Sequence, residues 1–341
     1  MTTPCVSVLM PVRNGGRYVE EAIQSILGQT FHDFEFIIID DGSTDETGAV
    51  INRYRLIDAR VRVHAQAGQG LVAALNRGLS LARGRYIARM DADDVSLPDR
   101  LATQVAFMES HPAVGVCGTW IETFGAPRAE VRRYPSDGER ISAWLLFESV
   151  LAHPSVMIRS EVLAQHGLSY DVAVPHAEDY DLWVRAARHT GLANIPEVLL
   201  RYRMHPQQVV NAHEAAKIAS AQCIRMEQLH RLGLVPDKDE LKLHEALSGW
   251  QFAPTRQFLT DTHLWLMKLI AANQTAGAYS GEAFAQVLAQ RWVAACAAAT
   301  HLGLWTWRKF MHSPLQAVAG LSWQQRLKLF VKCGIRKASY V

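Results

Sequence analysis

Phe36-Ile37-Ile38-Ile39-Asp40-Asp41-Gly42-Ser43-Thr44-Asp45 is the stretch on which the fold turns. A short apolar run of strand length ends abruptly in two carboxylates and a glycine. Gly42 permits a tight turn, Ser43 or Thr44 can cap the helix that follows, and one carboxylate remains to face a ligand as an acceptor. An acidic turn with a helix cap accounts for the same residues without a ligand. Upstream, Val6–Met10 is a first strand, broken by Gly15 and Gly16, after which Val19, Ile23, Ile26 and Leu27 recur at helical spacing before a second strand over Glu35–Ile39. Downstream, strands are expected at Arg60–His64 and Arg85–Met90, with a helix near Leu71–Ala82 between them. A further helix after Pro98 runs through Leu101, Val105 and Met108, and Val114–Cys117 closes this half. Such alternation predicts βαβ units and an α/β fold with a mostly parallel mixed sheet flanked by helices.

Between residues 120 and 205 the pattern loosens, with strands at His153–Ile158 and Val198–Arg203 and a helix over Glu178–His189. Beyond it the chain shows alanine-, leucine- and tryptophan-rich segments of helical period. This divides the 341 residues into an α/β domain over 1–210 and an all-helical C-terminal region over 211–341. With 49% hydrophobic and 20% charged residues, disorder is excluded. A net charge of +2 speaks against a surface built to grip nucleic acid. The five cysteines are scattered, with no paired spacing for zinc or redox chemistry. No secretory leader is read before Cys5, and Trp292–Trp305 falls short of a bilayer span, so a cytoplasmic protein is expected, peripheral on the cytoplasmic face of the inner membrane if it meets lipid.

Two further acid clusters follow predicted elements. Asp91-Ala92-Asp93-Asp94 succeeds the fourth strand; in an extended segment Asp91 and Asp93 project to one side and converge on a divalent cation, magnesium or manganese, while Asp94 points elsewhere. Arg89, just before it, can balance its charge. Glu178-Asp179-Tyr180-Asp181 opens a helix on which Asp179 shares the inward meridian with Leu182, Trp183 and Ala186, whereas Asp181, Arg185 and Arg188 share the outward one. Burial raises the pKa of Asp179 and the helix N-terminus lowers it, which suits a base or a buried capping aspartate.

The motifs Ser7–Asn14, Ile26–Thr30, Ile38–Asp45, Arg89–Asp94, His153–Val156 and Glu178–Trp183 together resemble a family 2 glycosyltransferase of the GT-A fold over about the first 205 residues. The resemblance implies inverting transfer of a sugar from a nucleotide diphosphate donor, UDP before others, to a hydroxyl of a glycan or lipid-linked acceptor in surface polysaccharide assembly. It implies that Pro11, Val12 and Arg13 line the nucleoside, Asp41 accepts from the base, Asp93 binds Mn2+ or Mg2+, and Asp91 contacts the ribose or the metal's water shell. Asp179 is then the base, His205 a metal or closing contact, and Glu178 and His153 further substrate contacts. His153 also reads as a buried histidine satisfied by backbone. Two other functions fit parts of the chain: a non-catalytic nucleotide- or glycan-binding subunit, and an NAD-dependent oxidoreductase suggested by Gly68-Gln-Gly-Leu-Val-Ala73. The latter leaves both Asp-rich turns unused.

Residues 301–341 hold seven Lys or Arg and no Asp or Glu, a charge of +7 that leaves −5 for the rest. Leu327, Phe330, Val331 and Ile335 share one helical face and Lys328, Lys332 and Arg336 another. Such a helix either lies on an anionic membrane surface or packs its apolar face on the protein.

Overall fold

The computed structural model describes residues 3–205 and 214–334. The chain forms two compact units, Met1–Ile141 with Ser149–Ala221, and Ser142–Glu148 with Gln222–Val341.

In the first unit, β1 (Val6–Val12), β2 (Phe34–Asp40), β3 (Val61–Ala65) and β4 (Tyr86–Arg89) run parallel in the order β3-β2-β1-β4. Between them lie α1 (Val19–Leu27), α2 (Thr47–Ile57) and α3 (Leu71–Leu81). Every residue of β1 and β2 is buried, the burial of strands covered on both faces. Their side chains alternate: Val6, Val8 and Met10 join Phe34, Phe36 and Ile38 in one core, and Leu9 points the other way. Gly78 of α3 lies against Leu9, where a Cβ would fall 2.0 Å from a Leu9 methyl, so only glycine lets the helix lie this close.

Two further strands are β5 (Val95–Ser96) and β6 (Val114–Phe124), with α4 (Arg100–Ser110) between them. There follow β7 (Val131–Arg132), α5 (Gly138–Trp144), β8 (Met157–Arg159), α6 (Ser160–His166), α7 (Glu178–Ala186) and β9 (Gly191–Arg203). Beyond β4 the sheet continues β8-β6-β9-β5; β8 is antiparallel to both neighbours, β6 and β9 are parallel, β5 is antiparallel to β9, and β7 pairs with β6. The strand expected at His153–Ile158 is instead a 3-10 turn, His153–Ser155, before β8. Pro154 has no N–H for a ladder, and Ser155 N–H bonds back to Ala152 O at 2.8 Å. The strands expected at Val114–Cys117 and Val198–Arg203 both extend further, because they pair with each other; the register jumps from Ile195 to Val198 and leaves Pro196 and Glu197 out of the ladder. Neither Ser43 nor Thr44 caps α2. Asp45 accepts the Thr47 N–H at 3.1 Å instead.

The second unit is helical: α8 (Glu214–Arg231) leads into it, then α9 (Lys238–Ser248), α10 (Arg256–Ala276), α11 (Gly281–Ala298), α12 (Leu304–Met311), α13 (Leu315–Val318) and α14 (Trp323–Gly334). Trp265, Leu266, Phe284, Leu288, Trp292 and Phe310 form its core. Arg291 is fully buried there, its guanidinium 3.8 Å from the Trp250 ring centroid and bonded to Glu148 at 2.5 Å. Among the described residues no helix is long and apolar enough to cross a membrane. Ile335, Arg336 and the rest of 335–341 lie outside the described residues.

Candidate active site

Parallel pairing levels the carboxyl ends of the central strands. Val12 stands opposite Asp40, and Leu9 opposite Arg89 with the Met90 N–H on Leu9 O, so the segments after β1, β2 and β4 emerge side by side, where an α/β sheet places its ligands. Pro11 and Val12 are buried within β1, and Arg13 is exposed at its end. Asn14, at φ 52°, stitches two of these segments together: its N–H donates to Ser43 Oγ at 2.9 Å and its Oδ1 accepts the Thr44 N–H at 2.8 Å.

Asp41 is buried at the end of β2. It takes the Gln69 N–H and Gln66 Nε2 at 2.7 Å each on Oδ1 and the Gly70 N–H at 2.8 Å on Oδ2, with the Arg13 guanidinium 3.9 Å away. The carboxylate thus holds the segment 66–70 in place. Of the two glycines in the candidate dinucleotide fingerprint, Gly70 has this structural use, and it leads into the third helix of the sheet, not the first. At Gly42, φ is +75° and a Cβ would sit 2.9 Å from Gly68 N, so the approach requires glycine.

The acid cluster after β4 is a turn, not an extended segment. Consequently Asp94 does not point elsewhere: Asp91, Asp93 and Asp94 each offer an oxygen, all within 4.8 Å of one another. Buried Arg89 pairs with Asp91, as its position in sequence suggested. Asp93 bonds His205 Nε2 at 2.9 Å, and the His205 ring lies 4.9 Å from Tyr18. Asp94 Oδ1 accepts the Arg203 N–H at 2.8 Å, but its Oδ2 is buried with no hydrogen-bond partner. Burial pushes the carboxyls of Asp91 and Asp94 up; Asp93 repels both, and for Asp91 the Arg89 cation works the other way. An orphaned carboxylate oxygen in a cluster of hard donors fits a divalent cation.

Asp179 sits half-buried in the first turn of α7. Burial raises its pKa, opposed by the Tyr180 N–H, Arg89 and Lys217. The charge of Asp179 in turn adds to the upward shift of Asp91, after burial and the charge of Asp93. Glu178 is buried beside it and is pushed up to about 7, by burial first and Asp179 second. Asp181 pairs with Arg185 at 2.8 Å as the helical spacing implied, yet it is buried, not outward, because Arg185 also donates to Ser169 O at 2.6 Å and holds that segment against the helix. His153 is buried and neutral, its pKa driven well down by burial and Arg89; its partner is not backbone but the Tyr170 hydroxyl, 2.8 Å from Nε2. Asn76 fixes Tyr170 through both backbone groups, at 3.0 and 2.8 Å. Asn14, Asn76, Tyr170, Arg203 and Lys217 were not among the residues expected from sequence. Only Asn14 and Arg203 lie near motifs that could have flagged them.

The model for glycosyl transferase family 2 matches residues 7–167. The O-antigen biosynthesis glycosyltransferase WbnJ of Escherichia coli is 35% identical over 207 residues, covering 59% of this chain and 80% of WbnJ. The chain belongs to glycosyltransferase family 2. Two solved structures share its GT-A fold at 17% identity. TarS 1–349 of S. aureus in complex with UDP-GlcNAc has a TM-score of 0.57, covering 95% of this chain and 89% of that one. The mannosyltransferase PcManGT of Pyrobaculum calidifontis in complex with GDP-Man and Mn2+ has a TM-score of 0.53, covering 98% and 86%. Membership in family 2 removes the oxidoreductase reading.

Proposed function

We propose that this glycosyltransferase transfers a sugar with inversion from a UDP-sugar to a hydroxyl of a glycan or lipid-linked acceptor in surface polysaccharide assembly. The observation that carries the reading is the cluster Asp91, Asp93 and Asp94 at the strand ends, with Asp94 Oδ2 buried and without a hydrogen-bond partner, joined by the half-buried carboxylate of Asp179, whose charge adds to the upward shift of Asp91. A carboxylate opposite a diphosphate site is where an acceptor proton must go. The donor class draws support from the fold shared with a UDP-GlcNAc complex, and the pathway class from similarity to an O-antigen enzyme.

In this reading Asp41 and Arg13, with the end of β1 at Pro11 and Val12, recognise the nucleoside. Asp41 accepts from N3–H of uracil, sharing the carboxylate with the segment 66–70. Asp93 and Asp91 would hold Mn2+ or Mg2+, with Asp94 Oδ2 and His205 as further donors, and Asp91 would also reach the ribose. When bound, the cation neutralises charge on the departing diphosphate. Asp179 removes the acceptor proton as that oxygen bonds to the anomeric carbon and the bond to the diphosphate breaks on the opposite face, so one displacement inverts the centre. Glu178 and His153 complete the acceptor side, and neutral His153 keeps positive charge away from the proton Asp179 must take.

The test is a panel of UDP-, GDP- and dTDP-sugars with manganese, read as release of nucleoside diphosphate. Turnover with UDP-sugars, lost in Asp179→Asn while UDP binding persists, supports the reading. UDP-sugar binding without turnover in either protein would assign a non-catalytic subunit instead.

A further inference from the structure

The helix α14 packs on its own unit through Leu329 and Cys333, and these are its only buried residues. The apolar residues on the adjoining arc turn outward: Trp323 is 71% exposed, Leu327 49%, Phe330 41% and Val331 43%. At 100° per residue these four span about a quarter of the circumference, with Lys328 and Lys332 on one flank. On the other flank Arg326 is tied to Gln316, at 2.8 Å to Oε1 and 3.1 Å to the carbonyl. Trp307 of α12 meets Phe330 edge-on, ring centroids 5.3 Å apart, and Trp307, Arg326, Leu327 and Phe330 line an open groove of about 350 Å3.

A soluble helix turns such a stripe inward. Here a tryptophan, a phenylalanine and two aliphatic residues are presented to solvent, a patch that needs a partner. Charge selects the partner. Residues 301–341 carry no carboxylate side chain, and the lysines bordering the patch complement a negatively charged surface. With no described helix able to span a bilayer, the arrangement suits a helix lying in the headgroup plane, aromatics and aliphatics in the acyl boundary and lysines on lipid phosphates.

We infer that α14 is a membrane-docking surface that seats the full chain on an anionic bilayer. This goes beyond the transfer reaction and rests on none of its residues. The experiment is co-sedimentation of the full chain with phosphatidylcholine vesicles lacking or containing phosphatidylglycerol, at low and high salt. The comparison proteins are Trp323→Glu/Leu327→Glu/Phe330→Glu and Lys328→Glu/Lys332→Glu. All substituted side chains lie on the outward part of α14, and circular dichroism checks the fold. The expected result is salt-sensitive binding to the anionic vesicles only, weakened about tenfold or more by either set of changes. Absence of binding, equal binding to neutral vesicles, or binding unchanged by both variants would overturn the inference. So would a dimer of the wild-type chain, seen by light scattering without lipid and dissolved by the triple substitution, since it would assign the patch to a second copy.

Discussion

The backbone N–H of Arg203 donates to Asp94 Oδ1 at 2.8 Å across 109 residues of chain, and the same residue's Nε donates to Asp93 O at 2.7 Å. The guanidinium is itself held between Tyr18 and Phe124, 4.5 and 4.4 Å from their centroids, and pairs with Glu21. The end of β9 therefore sets the shape of the acid turn, and Arg203 is a positioning residue that contacts no substrate in the proposed chemistry. Arg203→Ala should lower manganese affinity by about tenfold or more, the usual effect of losing an outer-shell support. Titration followed by Mn2+ electron paramagnetic resonance reads this without turnover.

Asp94→Asn tests the orphaned oxygen separately. The amide oxygen can still accept from Arg203, while one buried negative charge is removed from a crowded cluster, so the metal-free protein should melt higher. The upward shift of the melting temperature on adding manganese should shrink, because the native state has lost a ligand. Scanning fluorimetry with and without the ion reports both.

Asp179→Asn should reduce turnover by about two to four orders of magnitude, with UDP binding by calorimetry little changed. As the proposed base, Asp179 works only ionised. Because burial raises its pKa, activity should fall on the acid side at a pH above the ordinary aspartate range. A pH profile of the turnover rate whose acid limb lies in the ordinary aspartate range would contradict this assignment.

Glu178 makes stability depend on pH in the opposite sense to a salt-bridged carboxylate. Its folded pKa of about 7 lies above the ordinary glutamate value of 4.5, so the stability it contributes is full below about 4.5 and is lost as pH rises through about 7. Glu178→Gln removes the group that must ionise in a buried place. The variant should melt at least about 2 °C above the parent at pH 8 and show no such gain at pH 4.

Much of this was legible in one dimension. Apart from the short β5, which no periodicity announces, strand and helix order to residue 110 follows from apolar periodicity, a local property, and the acid turns show because carboxylates directly after a strand have few local uses. The misreadings arise where partners are remote. Asp181 follows helical arithmetic to Arg185, but the meridian alone could not reveal that the segment at Ser169 covers it. The 3-10 turn at His153 and the long pairing of β6 with β9 depend on which backbone groups meet, as does the phenol that satisfies His153.

Sequence by itself determined the family, the parallel half of the sheet and the identity of the acidic residues at its edge, since each is encoded within a dozen neighbouring positions. Tertiary structure decided that Asp94 joins Asp91 and Asp93, that Asp41 braces the chain at 66–70, that the charge of Asp179 adds to the upward shift of Asp91, and that α14 turns its aromatic face outward. The physical reason is reach: propensity and periodicity act within a turn or a strand, whereas desolvation, charge repulsion and packing depend on residues that only the folded chain brings together.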